Sequence, residues 1–363
     1  MATEGTRTRI LFVRQGWSPF SQGDITLLSK HFDVKVLDFY VSGLTFSDIA
    51  RSMRNLLFGF FWADVTLSWF AGWHSMVAVL LSKILRKKSI VIAGGSQVAS
   101  IPLPGYRVHK SLATAIKYSL LNADSILSVS EFNRMEIQRI VKSGHVKLIY
   151  NGVDTDKFSP GLSAESETLS IPSALQHRQH EGQRREIEKE DVVLTVAVIN
   201  HTTIRNKGLD TFVKSAHLLP HVRFMIVGAC NDGSIEELMS IASRNVEFVG
   251  FHPEQTLIPL YRRAKVYCQL SLYESFGVAL AEAMSCGCVP VVTRNGALPE
   301  VVGDTGFYVP YGDPLSTARA IETAMGSGLS DNARSRILAN FSIQRREMDL
   351  VREIESLAIA ERH

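Results

Sequence analysis

Short apolar runs alternate along this chain with stretches in which apolar residues recur every three or four positions. The runs Arg9–Arg14, Val34–Asp38, Val65–Trp69, Ser89–Ala93 and Asp124–Val129 are rich in β-branched and aromatic residues and read as buried strands. Gln15–Gly23 reads as a loop, and Asp24–His31, His74–Arg86 and the stretch from Glu131 as helices. The second helix ends in Arg86-Lys87-Lys88, cations that suit the negative end of a helix dipole. From 161 to 190 the pattern breaks into a Ser-rich and then charged segment, which fits a linker or mobile insert. Alternation resumes with strands expected at Val192–Ile199, Arg223–Val227, Val246–Gly250, Val266–Leu272 and Val289–Thr293. Short apolar strands alternating with helices imply parallel sheets covered on both faces. The expected fold is α/β: two doubly wound Rossmann-like domains facing a cleft, over 1–160 and 191–341. A charged helical tail, 342–363, would cross back onto the first domain.

Length supports that division, because 363 residues exceed one ordinary core. The balance of 45% hydrophobic and 21% charged residues is that of a globular protein. A net charge of +3 gives no reason to expect nucleic acid, yet permits an anionic ligand or membrane surface. The cysteines are Cys230, Cys268, Cys286 and Cys288. The last two, one residue apart, fit neither a zinc knuckle nor a redox pair, so buried reduced thiols and a reducing cytosol are expected. Met1–Arg9 is polar, unlike a signal peptide. Asn55–Leu85 is apolar but is interrupted by Asp64, Gly72, His74 and Lys83, too often for a membrane span. Within it, 51–62 places basic residues before bulky apolar ones. That order suits peripheral membrane contact, and equally a core helix with a solvated start.

The densest chemistry lies in Leu272–Val292. Glu274 sits in a polar turn after an apolar run, Gly277 stands where a helix would begin, and Glu282 lies about two turns along it. Free N–H groups at such a helix start favour an anion. A carboxylate among Ala279, Leu280, Ala281, Ala283 and Met284 needs a partner if buried, and sugar hydroxyls would serve. Upstream, Asn200–Asp210 reads as a basic loop in which Arg205 and Lys207 could compensate a diphosphate. Asp154-Thr-Asp156 has an acid-x-acid spacing, but the preceding Asn151-Gly152-Val153 reads as a turn and no metal is assigned there. His74, His109, His201 and His252 receive no role. No Gly-x-Gly-x-x-Gly follows a strand, which removes support for a nicotinamide dehydrogenase.

These stretches resemble the group 1 glycosyltransferases, family-four retaining enzymes of the two-domain GT-B type. The resemblance is carried by Glu274-Ser-Phe-Gly-Val-Ala-Leu-Ala-Glu282-Ala-Met-Ser-Cys-Gly, by Pro290-Val-Val-Thr and by Gly296-Ala-Leu-Pro-Glu-Val-Val. Tyr150-Asn-Gly-Val-Asp-Thr-Asp-Lys-Phe158 and Ala123-Asp-Ser-Ile-Leu-Ser-Val-Ser-Glu131 support it. It implies an acceptor-side first domain and a second domain that holds a UDP- or GDP-sugar. Glu282 would bind the ribose and Glu274 the transferred sugar. Phe276, Gly277 and Val278 would offer backbone amides. Lys207 and Arg205 would neutralise the diphosphate, Phe251 would lie beside the base, and Gly23 would approach the phosphates. No cofactor is implied beyond the donor. The implied activity is hexosyl transfer, with retention, to a glycan, a lipid-linked saccharide or a small molecule. A non-catalytic nucleotide- or sugar-binding module on the same fold is the alternative. Two positions depart from the family pattern. Thr202 stands where the family has an Arg, with Arg205 or His201 as substitutes, and Gln22-Gly23 replaces the usual paired glycines.

Overall fold

The computed structural model describes residues 7–39, 58–101, 103, 108–142, 145–161, 189–230 and 232–359. It contains two parallel sheets of six strands. The first comprises β1 (Arg9–Arg14), β2 (Asp33–Asp38), β3 (Val65–Trp69), β4 (Lys88–Ala93), β5 (Ser125–Ser128) and β6 (Val146–Leu148), in the order β2-β1-β3-β4-β5-β6. The second comprises β7 (Glu190–Val196), β8 (Arg223–Val227), β9 (Val246–Gly250), β10 (Ala264–Gln269), β11 (Val289–Thr293) and β12 (Phe307–Val309), in the order β12-β11-β10-β7-β8-β9. In each, the strand order reverses beside the first strand, as doubly wound sheets require. The expected α/β class with two doubly wound sheets is therefore the observed one. β6 and β12 were not expected. Each has three residues and lies at a sheet edge, too short to carry a pattern of its own.

Central strands read clearly because both faces are covered. β3 is buried at all five positions and β11 likewise; β11 is a nearly continuous apolar run, while β3 also buries Thr66 and Ser68. The core of the second sheet packs Val193, Phe224, Ile226, Val266 and Val291 against Phe212, Val213 and Ile321 from the covering helices. Three of the four thiols, Cys268, Cys286 and Cys288, are buried, and all four are free.

Two compact units result. Unit 1 comprises Met1–Gly152, Tyr273–Phe276 and Ile343–His363; unit 2 comprises Val153–Leu272 and Gly277–Ser342. Residues 153–160, which the sequence pattern assigns to the first domain, group with unit 2. The Phe158 carbonyl accepts from Ser285 Oγ at 2.5 Å and Arg334 Nη1 at 3.2 Å, and Val153 bridges to Ser342. The expected insert at 161–190 lies almost wholly outside the described residues.

The helix Ile343–Ile359 ties two ionic contacts into unit 1, the first of them buried on both sides. Arg346, 4% exposed, meets both carboxylate oxygens of Asp24 at 2.7 Å, while Trp69 Nε1 donates to the same carboxylate at 2.5 Å. Arg346 also donates to the Tyr150 carbonyl. Further along, Glu353 accepts from Ser125 Oγ at 2.7 Å and pairs with Lys147 at 2.5 Å.

One local expectation is corrected. Gln15–Gly23 is not a loop throughout, because a helix starts at Pro19 and runs to Leu28. Ser18 caps it by accepting from Ser21 N at 3.2 Å, and Pro19 supplies a preset φ at the first helical position. Gly23 is thus a helical residue, exposed, with open space where a Cβ would stand.

Candidate functional site

In unit 2 the expected basic loop is a helix, His201–Asn206. Asn200 Oδ1 accepts from the amides of Thr202 and Thr203 at 3.0 and 2.8 Å, and Thr203 Oγ1 accepts from Asn200 N at 2.9 Å. This reciprocal cap satisfies the orphan donors of a six-residue helix that propensity alone would not hold. Arg205 lies in its last turn, exposed, with its carbonyl accepting from Tyr311 Oη at 2.6 Å. Lys207 is the C-cap, and its side chain is partly buried. His201 is drawn elsewhere: its imidazole lies 3.7 Å from Glu237, and its amide donates to Asp232.

Two contacts fix this basic segment at the carboxyl end of β10. Leu272 N donates to the Asn206 carbonyl at 2.8 Å. Gly208 adopts φ +65 and rests so close to β10 that a Cβ would stand 2.3 Å from the Leu270 carbonyl oxygen. No other residue fits there without moving the backbone. Lys207 is thereby held beside the end of a strand whose next segment leads into the second candidate element.

That element is the helix Val278–Ser285, which begins at Gly277 with φ +93. Its apolar face, Leu280, Ala281, Ala283 and Met284, is buried. Glu282 sits among these residues and accepts from Tyr261 Oη at 3.2 Å. Burial pushes the Glu282 carboxyl up to about 7, while the Tyr261 hydroxyl and the positive charge of Lys157 pull it back. Burial likewise raises the Tyr261 hydroxyl, which therefore stays a proton donor. A carboxyl group poised near neutrality and short of cations is what a ligand with several hydroxyl donors would complete.

The other expected residues divide between the units. Val278 is partly buried at the first turn of that helix. Phe251 follows β9 directly and is 72% exposed. Val198, 45% exposed, follows β7, and sequence reasoning did not single it out. Glu274 and Phe276 group with unit 1, where Ser130 Oγ donates to the Ser275 carbonyl at 2.6 Å and Tyr273 meets the Phe132 ring edge-on at 5.5 Å. Tyr261 was missed as well. It lies 21 residues before its partner Glu282, and nothing in its own segment marks it. Asp154 accepts from Lys157 N at 3.1 Å and closes a turn. Among the described residues, no group of three or more His, Cys, Asp or Glu is placed to hold a metal ion.

Residues 190–327 match the family of group 1 glycosyl transferases. This segment is a group 1 glycosyl transferase domain. The domain includes Lys207, Arg205, Phe251, Glu274 and Glu282. A phosphatidylinositol N-acetylglucosaminyltransferase subunit from Arabidopsis thaliana is 28% identical over 225 residues, which is 58% of this chain and 43% of that protein. The chain thus spans less than half the length of that relative. Solved GT-B structures agree with the whole fold. A sucrose-phosphate synthase from Thermosynechococcus elongatus superposes with a TM-score of 0.75 at 18% identity, covering 98% of this chain and all of that one. Anabaena HepE in complex with UDP and glucose superposes with a TM-score of 0.73 at 18% identity, covering 96% and 100%.

Proposed function

We propose that this protein is a retaining glycosyltransferase that moves a hexose from a UDP- or GDP-sugar to an acceptor hydroxyl. The observation that carries the reading lies within unit 2. A cationic segment is pinned to the end of β10 by Gly208, and the helix that follows presents a carboxyl group near neutrality at Glu282. Glu282 accepts from the ribose hydroxyls. The amides of Gly277 and Val278, at the positive end of a helix dipole, face the phosphates. Lys207 and Arg205 take up the charge of the departing diphosphate, which assigns that task to side chains rather than to a metal ion. Phe251 offers an exposed ring to the base. Glu274, with the Phe276 backbone, addresses the transferred sugar.

In the reaction the bond from the anomeric carbon to the diphosphate breaks, and the acceptor oxygen bonds to the same face of that carbon. The acceptor proton passes to the departing phosphate oxygen. Gly23, helical and without a close neighbour, receives no phosphate contact in this reading. The acceptor is a glycan, a lipid-linked saccharide or a small molecule. The Arabidopsis relative is named for phosphatidylinositol, which favours an acceptor at a membrane. No helix among the described residues is long and apolar enough to cross a bilayer, so contact there would be peripheral, as proposed for 51–62. Of that stretch, 51–57 lies outside the described residues, and Phe58 and Phe61 are exposed.

Calorimetric titration with a panel of UDP- and GDP-sugars tests the reading. One of them should bind saturably, and a labelled form of it should lose its sugar to water or to an added acceptor. No heat with any donor overturns the proposal. Binding without loss of the sugar leaves the non-catalytic module in its place.

A further inference from the structure

Residues 65–123 contain no Asp or Glu and seven Lys or Arg, although the chain carries 36 acids among its 363 residues. Two helices of unit 1, Trp73–Ile84 and Lys110–Asn122, lie within this stretch. They pack side by side, with Ser75 Oγ donating to Ser119 Oγ at 2.9 Å and Lys83 Nζ to Asn122 Oδ1 at 2.6 Å. The helical turn at 58–62 joins them, because Phe60 packs in one apolar cluster with Ala78, Leu81 and Leu85.

The outward side of these elements is apolar and basic. Phe58, Phe61, Leu80, Ile84 and Leu121 are between 41% and 70% exposed. Lys83, Arg86 and Lys117 are exposed beside them. The flanking acids are already taken, Asp64 by Arg9 at 2.7 Å and Asp124 by Lys88 at 3.3 Å. Along one helix and just past its end, Leu80 and Ile84 alternate with Lys83 and Arg86. That spacing suits single apolar side chains entering below a layer of phosphates while the cations stay at its level. Phe58, Phe61, Ile84 and Leu121 also lie just ahead of β3, β4 and β5, at the amino ends of the strands. Ligands of doubly wound sheets bind at the opposite, carboxyl ends.

We infer that this face of unit 1 docks the protein on an anionic lipid bilayer. The inference deepens the membrane contact of the proposed function by moving its centre from 51–62 to the helices Trp73–Ile84 and Lys110–Asn122. Its test reads vesicle binding rather than transfer, so the two can fail separately.

The full chain is co-sedimented with phosphatidylcholine vesicles with and without phosphatidylglycerol. Binding is expected only to the anionic vesicles, and it weakens as salt rises. Each cation near such a surface is worth roughly fivefold in partitioning, so the triple variant Lys83→Gln, Arg86→Gln, Lys117→Gln should bind roughly 100-fold less. Ile84→Ser with Leu121→Ser should lower binding about tenfold or more at unchanged charge. All five positions are exposed, and unchanged circular dichroism and melting confirm an intact fold. Two outcomes overturn the inference: a parent protein that ignores anionic vesicles, which would leave the face to an acidic protein partner, and variants that bind as the parent does.

Discussion

Asp24 in unit 1 and Glu282 in unit 2 are carboxylates treated in opposite ways. Asp24 is 2% exposed and saturated, with two Arg346 contacts at 2.7 Å and the Trp69 indole at 2.5 Å. Glu282 sits in surroundings apolar enough to raise its carboxyl to about 7, with a tyrosine hydroxyl at 3.2 Å. A buried acid given a full set of donors is committed to holding the protein together. One left near neutrality keeps acceptor capacity in reserve for something that arrives later. Apolar surroundings by themselves therefore do not distinguish the two acids; the count and charge of their donors does.

The largest effect should come from the saturated acid. Arg346→Met strands Asp24 in the interior and should cost about 3–5 kcal/mol in denaturant-induced unfolding. Donor affinity measured below the transition should stay within a few-fold of the parent. A large loss of affinity in the still-folded variant would blur the contrast between the two acids.

Next in size, Lys207→Ala should lower transfer roughly 100-fold or more by loss of charge stabilisation in the transition state, and Glu282→Ala should do so by loss of the ribose contacts, with both variants still folded. Full activity in either variant breaks the site assignment.

A smaller effect is a pH dependence. Donor hydroxyls bond to the ionised form of Glu282, so affinity should be highest above pH 7 and decline as the pH falls through it. In Glu282→Gln that limb should be flat. The smallest effect belongs to Tyr261→Phe, which removes a donor to the ionised carboxyl. The midpoint of the same pH curve should move upward, at about 1 kcal/mol of stability.

The sequence made most of the architecture legible because its central strands are buried on both faces and are rich in apolar and β-branched residues. Where burial is one-sided or brief, the signal fades. β2 exposes most of its residues and its expected start falls just inside the observed one, whereas β6 and β12, three residues each, gave no pattern at all. Caps explain the other differences. Ser18-Pro19 starts a helix that Gly23 argues against, and the reciprocal Asn200–Thr203 bonds turn a polar stretch into a helix. For the proposed site, local spacing singles out Glu282, Arg205 and Lys207, since their side-chain chemistry is written within a few residues. The partner Tyr261 depends on how the helix Glu254–Arg263 lies against Val278–Ser285, which no short window records.

The carboxy-terminal helix has a consequence for biosynthesis. Asp24 emerges from the ribosome 322 residues before Arg346, and Ser125 emerges 228 residues before Glu353. The first half of the protein to be translated is thus the last to acquire its complete interior, and must wait for the end of the message with an uncompensated aspartate. Termination between Ser342 and Arg346 should spare the later-made half and leave the earlier one to the chaperones.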